Sequence, residues 1–170
     1  MTDDLVALLS RLIAADVEFV VVGGVAAFMH GSDQLTRDLD ILAAFTPENM
    51  ARLLTALRDL HPYNSARPDL GELHASPEEL ARYRNLYLGT DLGRLDVLGE
   101  IPPLSGYPEV ATQAIEVSLQ GAPFKLIALD HLITIKETIG RPRDLVAVAE
   151  LKAIRERLRN EPRPPRGGDA

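Results

Sequence analysis

The stretch from Val20 to Leu42, VVVGGVAAFMHGSDQLTRDLDIL, constrains the fold more than any other part of the chain. It continues the run EFVVV at residues 18–22, whose β-branched residues indicate a strand buried on both faces. Two glycines end this run, and we expect a short helix from about Val25 to His30 to follow them. The pattern therefore predicts a buried strand that opens through a glycine turn into a helix.

The next strand carries two acids. In LTRDLDILAAF the residue types alternate, so Asp38 and Asp40 share one face, with Cα atoms roughly 6.6 Å apart. Two unpaired carboxylates at that spacing repel, and hard divalent cations such as Mg²⁺, which prefer oxygen ligands, remove the repulsion. Two such ions about 3.5 to 4 Å apart can clamp a phosphoryl group during in-line displacement. Asp96, the acid within the apolar stretch LDVL, is the best candidate for a third ligand.

Backbone and basic groups supply candidates for phosphate binding. Gly23 and Gly24 lie between strand and helix, where backbone N–H groups can approach phosphate oxygens near a positive helix end. Ser32 could donate to a phosphate, although a loop serine is equally explained as a solvated hydroxyl. Lys136 lies four residues after Leu132 on an apolar helix stripe. A charge there is costly unless it snorkels or meets an anion such as phosphate, and both explanations stay open.

Periodicity and turn residues predict the other elements. In chain order, we predict a helix over Leu5–Ile13, a helix from Pro47 with Thr46 as N-cap, one helical turn at Pro77–Leu80 in a loop, a hairpin with strands near Tyr83–Leu88 and Arg94–Leu98, a second hairpin turning at Gln120-Gly121, and two closing helices separated at Gly140-Arg141. Residues 1–159 are expected to form a single domain, and 160–170, which lack core-forming residues, a disordered tail.

Composition excludes several classes of function. The chain has 170 residues, 46% of them hydrophobic, as in an ordinary globular protein. It has no cysteine, which rules out disulfides, zinc-thiolate sites and a thiol nucleophile. Its net charge of −7 leaves no general basic footprint for duplex nucleic acid, while a small acceptor or an RNA end remains open. We expect a soluble, cytoplasmic protein, because the first residues are acidic and no apolar run is long enough for a membrane helix.

The motifs, taken in order, carry a resemblance. GGVAAFMHG, TRDLDIL and RLDVL resemble the GG or GS motif, the Asp-x-Asp pair and the third aspartate of the DNA-polymerase-β-like nucleotidyltransferase superfamily. The closing stretch LIALDHLITIKETIGRPRDLVAVAEL is similar to the C-terminal helices of its small single-domain bacterial members, among them toxins of the abortive-infection type. The resemblance covers about Val17 to Leu151 and implies an α/β (α+β) domain, the minimal nucleotidyltransferase fold, with a short mixed β-sheet flanked by helices.

The resemblance also implies an activity. It is the transfer of a nucleoside monophosphate from an NTP such as ATP to an acceptor, with release of pyrophosphate. Asp38, Asp40 and Asp96 would be catalytic and would hold two Mg²⁺ ions, with Asp96 nearer the acceptor hydroxyl. The acceptor stays open between an RNA 3′ end, a protein hydroxyl and a small molecule. A cognate antitoxin is a possible protein partner.

Two other functions stay open. Relatives often have an arginine about where Gln34 stands, which favours a catalytically weak module of the same fold that binds an NTP or a partner. A structural interaction domain that binds no nucleotide is the third hypothesis. Asp144 resembles a family motif residue too, but its place in the first turn after Pro142 is explained by the helix dipole, so we leave it out of the chemistry.

Overall fold

The computed structural model describes residues 1–160. The helices of this part are α1 (Asp3–Ala14), α2 (Gly23–Met29), α3 (Pro47–Leu57), α4 (Pro77–Leu80), α5 (Tyr107–Gln113), α6 (Leu129–Ile139) and α7 (Pro142–Asn160). Its strands are β1 (Phe19–Val22), β2 (Asp38–Ala43), β3 (Tyr63–Asn64), β4 (Asn85–Thr90), β5 (Gly93–Leu98), β6 (Ile115–Leu119) and β7 (Ala122–Leu126). No helix of this part is long and apolar enough to cross a membrane.

The strands form one mixed sheet in the order β3-β4-β5-β2-β1-β7-β6. β1 lies in the interior of the sheet, antiparallel to β2 and parallel to β7. β2 pairs parallel with β5, and the hairpins β4-β5 and β6-β7 carry the sheet outward on both sides. The fold is therefore a mixed α/β sheet with helices on its faces, as the resemblance implied.

Burial separates the two faces of the sheet. Leu39, Ile41, Leu95 and Val97 alternate with the site residues along β2 and β5 and have no exposed surface. They lie on the face against which α1 packs, with α3 beside α1. On the other face, α2 contacts β2 and α6, and α6 packs against α7. β1, covered on both sides, has side chains that are at most 5% exposed, as its apolar run predicts.

The helix after β1 begins earlier than its sequence indicates. We predicted it from about Val25, whereas α2 starts at Gly23, so both glycines belong to its first turn. Gly23 has a φ of +63°, a conformation that costs glycine little and other residues much. The direct passage from strand to helix therefore depends on a glycine at this position.

Most of the remaining predictions are confirmed, with shifts at element ends. β2 begins at Asp38, and the Thr36 hydroxyl just before it donates to the Asp38 carbonyl oxygen at 3.1 Å. The β4-β5 turn is shorter than predicted, since the two strands pair as far as Thr90 opposite Gly93. The turn at Gln120-Gly121 is confirmed, and both residues have positive φ.

Three elements had no prediction: β3, α5 and a short 3₁₀ helix at Pro68–Leu70. β3 is only two residues long and shows no periodicity, and α5 buries only Val110 and Ala111. At the C-terminal end, α7 runs to Asn160, whereas residue 160 had been assigned to the tail. The rest of the predicted tail, 161–170, lies outside the described residues.

Candidate active site

The three predicted aspartates lie on one face of the sheet. Asp40 on β2 is directly opposite Asp96 on β5, and Asp38 is opposite Arg94. Neighbouring strands are about 4.8 Å apart, and directly opposite residues project to the same side. Alternation along β2 places Asp38 and Asp40 on the same face of the sheet, and the pairing of β2 with β5 places Asp96 on that face as well. All three carboxylates line a cleft of about 570 Å³ between the sheet and α6.

The cleft collects six of the seven residues that were predicted for the site. They are Gly23, Gly24, Asp38, Asp40, Asp96 and Lys136.

Asp40 has a strongly raised pKa. Burial, followed by the negative charge of Asp96, raises its pKa to about 6, and Asp38 adds to the rise. A hydrogen bond from the Gly24 backbone and the positive charge of Lys136 act in the opposite direction and lower the pKa. Burial and the neighbouring acids thus favour the neutral form of Asp40 more than Gly24 and Lys136 favour its ionised form.

The glycines allow the backbone of α2 to approach this carboxylate. A Cβ atom on Gly23 would overlap the Asp40 side chain, and the positive φ of Gly23 also disfavours any other residue. A Cβ atom on Gly24 would lie 2.6 Å from Thr36 Oγ1. Both positions thus require glycine for a steric reason.

Arg94 forms an ion pair with the third aspartate. Its Nε lies 2.8 Å from Asp96 Oδ1, and its second contact, from a terminal guanidinium nitrogen to Oδ2, is 3.4 Å. The Asp96 side chain is only 14% exposed, so this contact is partly shielded from water. We had not singled out Arg94, although its place two residues before Asp96 on the same strand puts both on one face.

The donor set fits a hard divalent cation in its chemistry. Three carboxylates face one cleft, and burial together with the charges of Asp96 and Asp38 raises the pKa of Asp40. Within residues 1–160, however, no three His, Cys, Asp or Glu side chains are grouped closely enough to hold a metal ion as they stand. Repulsion between the carboxylates and the pull of Arg94 on Asp96 both oppose a closer approach.

Lys136 lies inside the cleft and has a buried counter-charge. Its Nζ is 3.6 Å from Asp144 Oδ1, and the two side chains are 12% and 10% exposed. Lys136 therefore does not snorkel to the surface. The helix-dipole explanation of Asp144 is incomplete, because this residue lines the cleft, and its Oδ2 has no hydrogen-bond partner among the described residues. The family motif was a signal that could have found it.

Ser32 is not brought to the site. It is 2% exposed, and its hydroxyl donates to Glu150 on α7 at 2.8 Å. The side chain ties the loop after α2 to the last helix, so the predicted phosphate contact has no support in this geometry. Gln34, by contrast, lines the cleft.

Tyr87 on β4 also lines the cleft, directly opposite Asp96. This residue was not predicted for the site. The alternation in NLYLGT was the available signal, but only the pairing of β4 with β5 decides which face the tyrosine joins.

Comparison with known proteins supports the fold. No family model matches the chain, and no curated protein does. Among solved structures, it is similar to the crystal structure of a "putative nucleotidyltransferase" from Thermotoga maritima, with a TM-score of 0.50 and 13% sequence identity. The alignment covers 89% of this chain and 90% of the other. The chain has a nucleotidyltransferase-like fold. At this identity the likeness extends to the fold and no further.

Proposed function

We propose that the protein is a Mg²⁺-dependent nucleotidyltransferase. The observation that carries this proposal is the register that sets Asp40 opposite Asp96, with Asp38 on the same face, at the wall of one cleft. A purely structural role does not explain why three acids share a partly buried surface on which the pKa of one of them is raised to about 6. Buried charges without partners are costly, and functional sites are where proteins retain them.

Asp38, Asp40 and Asp96 would hold the cation or cations. Mg²⁺ bound there would neutralise the charge of the triphosphate and orient its α-phosphate for in-line transfer. In the reaction, the acceptor oxygen bonds to the α-phosphorus while the bond from that phosphorus to the bridging oxygen breaks. Pyrophosphate leaves with the electron pair, and Asp96 receives the proton of the acceptor hydroxyl.

Backbone and basic groups of the chain would bind the phosphates. Gly23 and Gly24 line the cleft beside Asp40, so an approaching phosphate would meet backbone there. Lys136 is positioned in the cleft by Asp144 and would share its charge with a phosphate oxygen. Most of the catalytic effect would come from positioning and from charge neutralisation.

A second candidate is a weakly catalytic module that binds an NTP or a protein partner. Gln34 favours it, because a neutral side chain lines the cleft where the resemblance leads us to expect an arginine. A place in a toxin-antitoxin pair, with a cognate antitoxin as partner, rests on the resemblance and is part of both candidate functions.

The first test is nucleotide binding. We expect at least one of the four NTPs to raise the melting temperature of the protein in the presence of Mg²⁺ and not in EDTA. A ligand at about 100 times its Kd adds roughly 2.7 kcal/mol to the free energy of unfolding. Asp38→Asn should lose this shift. The absence of any Mg²⁺-dependent shift would contradict both the enzyme and the NTP-binding module.

Turnover separates the two candidates. Incubation with labelled NTPs and a cell lysate should transfer label to RNA, to protein or to a small molecule if the protein is an enzyme. Asp96→Asn should lower that rate on the order of 100-fold while retaining the Mg²⁺-dependent thermal shift, because its contribution is made in the transition state. Label transfer at the wild-type rate by Asp96→Asn would remove Asp96 from the catalytic role.

A further inference from the structure

The face of the sheet continues beyond Asp96 as an open surface. Asp40, Asp96 and Tyr87 stand directly opposite one another on β2, β5 and β4 and form one row across the sheet. Tyr87 is 41% exposed and lines the same cleft as the two acids. Its ring is therefore accessible on the side of Asp96 that faces away from Asp40 and from the glycines of α2.

A second ring extends this surface to the edge of the sheet. Tyr63 on β3 is opposite Gly89 and 37% exposed. A Cβ atom on Gly89 would overlap the Tyr63 ring, so the ring lies over the glycine. Gly89 and Tyr87 are two residues apart on β4, which makes the tyrosines diagonal neighbours, at a spacing that aromatic side chains can bridge.

The two outer strands carry no charged residue, and the charges beside the rings come from β5, where Arg94 is opposite Gly89 and Asp96 is opposite Tyr87. β3 and β4, with the sequences YN and NLYLGT, contain no Asp, Glu, Lys or Arg. Uncharged aromatic faces are surfaces on which single-stranded nucleic acids stack their bases.

We infer that Tyr87 binds the acceptor by stacking on the terminal base of a single-stranded RNA, which brings the 3′ hydroxyl of that nucleotide beside Asp96. Tyr63 supports the adjacent base at the edge of the sheet. This inference rests on the proposed function, since it assigns the acceptor of the same reaction. A few stacked bases are compatible with the net charge of −7, because they do not depend on a long basic groove.

The test is RNA binding by tyrosine variants. A short 5′-labelled single-stranded RNA of mixed sequence is titrated with protein in Mg²⁺ and a non-hydrolysable NTP analogue, and fluorescence anisotropy gives the Kd. We expect Tyr87→Phe to bind like the wild type, because stacking needs the ring and not the hydroxyl. Tyr87→Leu should raise the Kd about tenfold or more. Tyr83→Leu, which removes another exposed tyrosine outside the cleft, is the matched control and should leave the Kd unchanged.

A second readout follows from the composition. The chain has four tyrosines and no tryptophan, so its near-ultraviolet emission comes from tyrosine. Stacking on the RNA should quench this emission in the wild type, and Tyr87→Leu should lose most of the change. In turnover assays, Tyr87→Leu should raise the KM for RNA and leave the KM for the NTP unchanged.

The inference and the proposed function fail in different ways. If the wild type shows the Mg²⁺-dependent NTP shift but binds no RNA, or if Tyr87→Leu binds RNA like the wild type, the inference is overturned and the proposed function stands. Label transfer to protein or to small molecules alone also overturns it. If the wild type shows no NTP shift, both are overturned. The NTP shift of each variant verifies that it is folded.

Discussion

At the scale of single residues, Asp40 most clearly links fold and chemistry. Its pKa is raised to about 6, above the value of 3.8 that it has as an unperturbed group. The folded state therefore holds a proton that the unfolded state releases at lower pH. Ionised Asp40 weakens the fold, and a bound cation would reverse that effect.

We predict that the titration of Asp40 lowers the stability of the protein between about pH 4 and pH 6 in EDTA. The free energy of unfolding is highest at a pH below the pKa that Asp40 has in the unfolded chain. It falls by roughly 1 to 3 kcal/mol until the pH exceeds the pKa of Asp40 in the folded protein. Urea unfolding at pH 4.5 and 7.5 measures the change. Asp40→Asn should remove most of it and be the more stable protein at pH 7.5, whereas Asp33→Asn, at an exposed loop aspartate, should behave like the wild type. Equal pH dependence in both variants would refute the assignment to Asp40.

At the scale of elements, the junction of β1 and α2 determines the shape of the site. The chain turns from a fully buried strand into a helix without a connecting loop. Gly23 makes this possible through its positive φ and through the space that its missing side chain leaves for Asp40. Replacing Gly23 by another residue would cost stability in two ways, through backbone strain at positive φ and through overlap of the new side chain with Asp40. A glycine elsewhere in the chain that has positive φ but no close neighbour allows the two costs to be measured separately.

We predict that Gly23→Ala destabilises the protein by roughly 2 to 4 kcal/mol, and Gly121→Ala by roughly 1 kcal/mol. Both glycines have positive φ, but a Cβ atom on Gly121 meets nothing within 4 Å, so the control carries the backbone cost alone. The Gly23→Ala variant should also lose the Mg²⁺-dependent NTP shift. Urea unfolding measures the difference in stability, and equal losses in the two variants would show that the overlap with Asp40 is unimportant.

At the scale of the whole molecule, the cleft exists because distant parts of the chain meet. β2 and β5 supply the acids, α2 the glycines, and α6 and α7 the pair Lys136 and Asp144. Since α6 and α7 form the wall opposite the sheet, the buried pair joins the closing helices where they face the acids. The ion pair between Lys136 and Asp144 therefore helps to hold the cleft together and also adds to the charges inside it.

We predict that Lys136→Met destabilises the protein by about 3 kcal/mol, because it leaves Asp144 as a buried carboxylate whose remaining ion-pair partner within residues 1–160 is Arg141, at 4.0 Å. The double variant Lys136→Met with Asp144→Leu should recover most of the stability, since it removes both charges. Neither should show the full NTP shift of the wild type. Thermal and urea unfolding measure the stabilities, and a double variant no more stable than the single one would show that the ion pair is not the cause.

The sequence by itself determined the local part of this protein. Alternation placed Asp38 and Asp40 on one face, the β-branched run predicted the buried strand β1, and apolar spacing with Thr46 and Gly140 as caps predicted the long helices. These features depend on neighbours within one or two turns of the chain. Short elements such as β3 were not predicted, because two residues are too few to show a periodicity in the sequence.

Only the tertiary structure decided which distant residues meet. Strand pairing set Asp96 and Tyr87 in the row of Asp40, and helix packing buried Lys136 with Asp144. Packing also turned Ser32 toward Glu150, away from the cleft. Local patterns specify the face a side chain takes on its own element but not the register against another strand or the partner across a helix interface. Those depend on the burial and pairing of the whole chain.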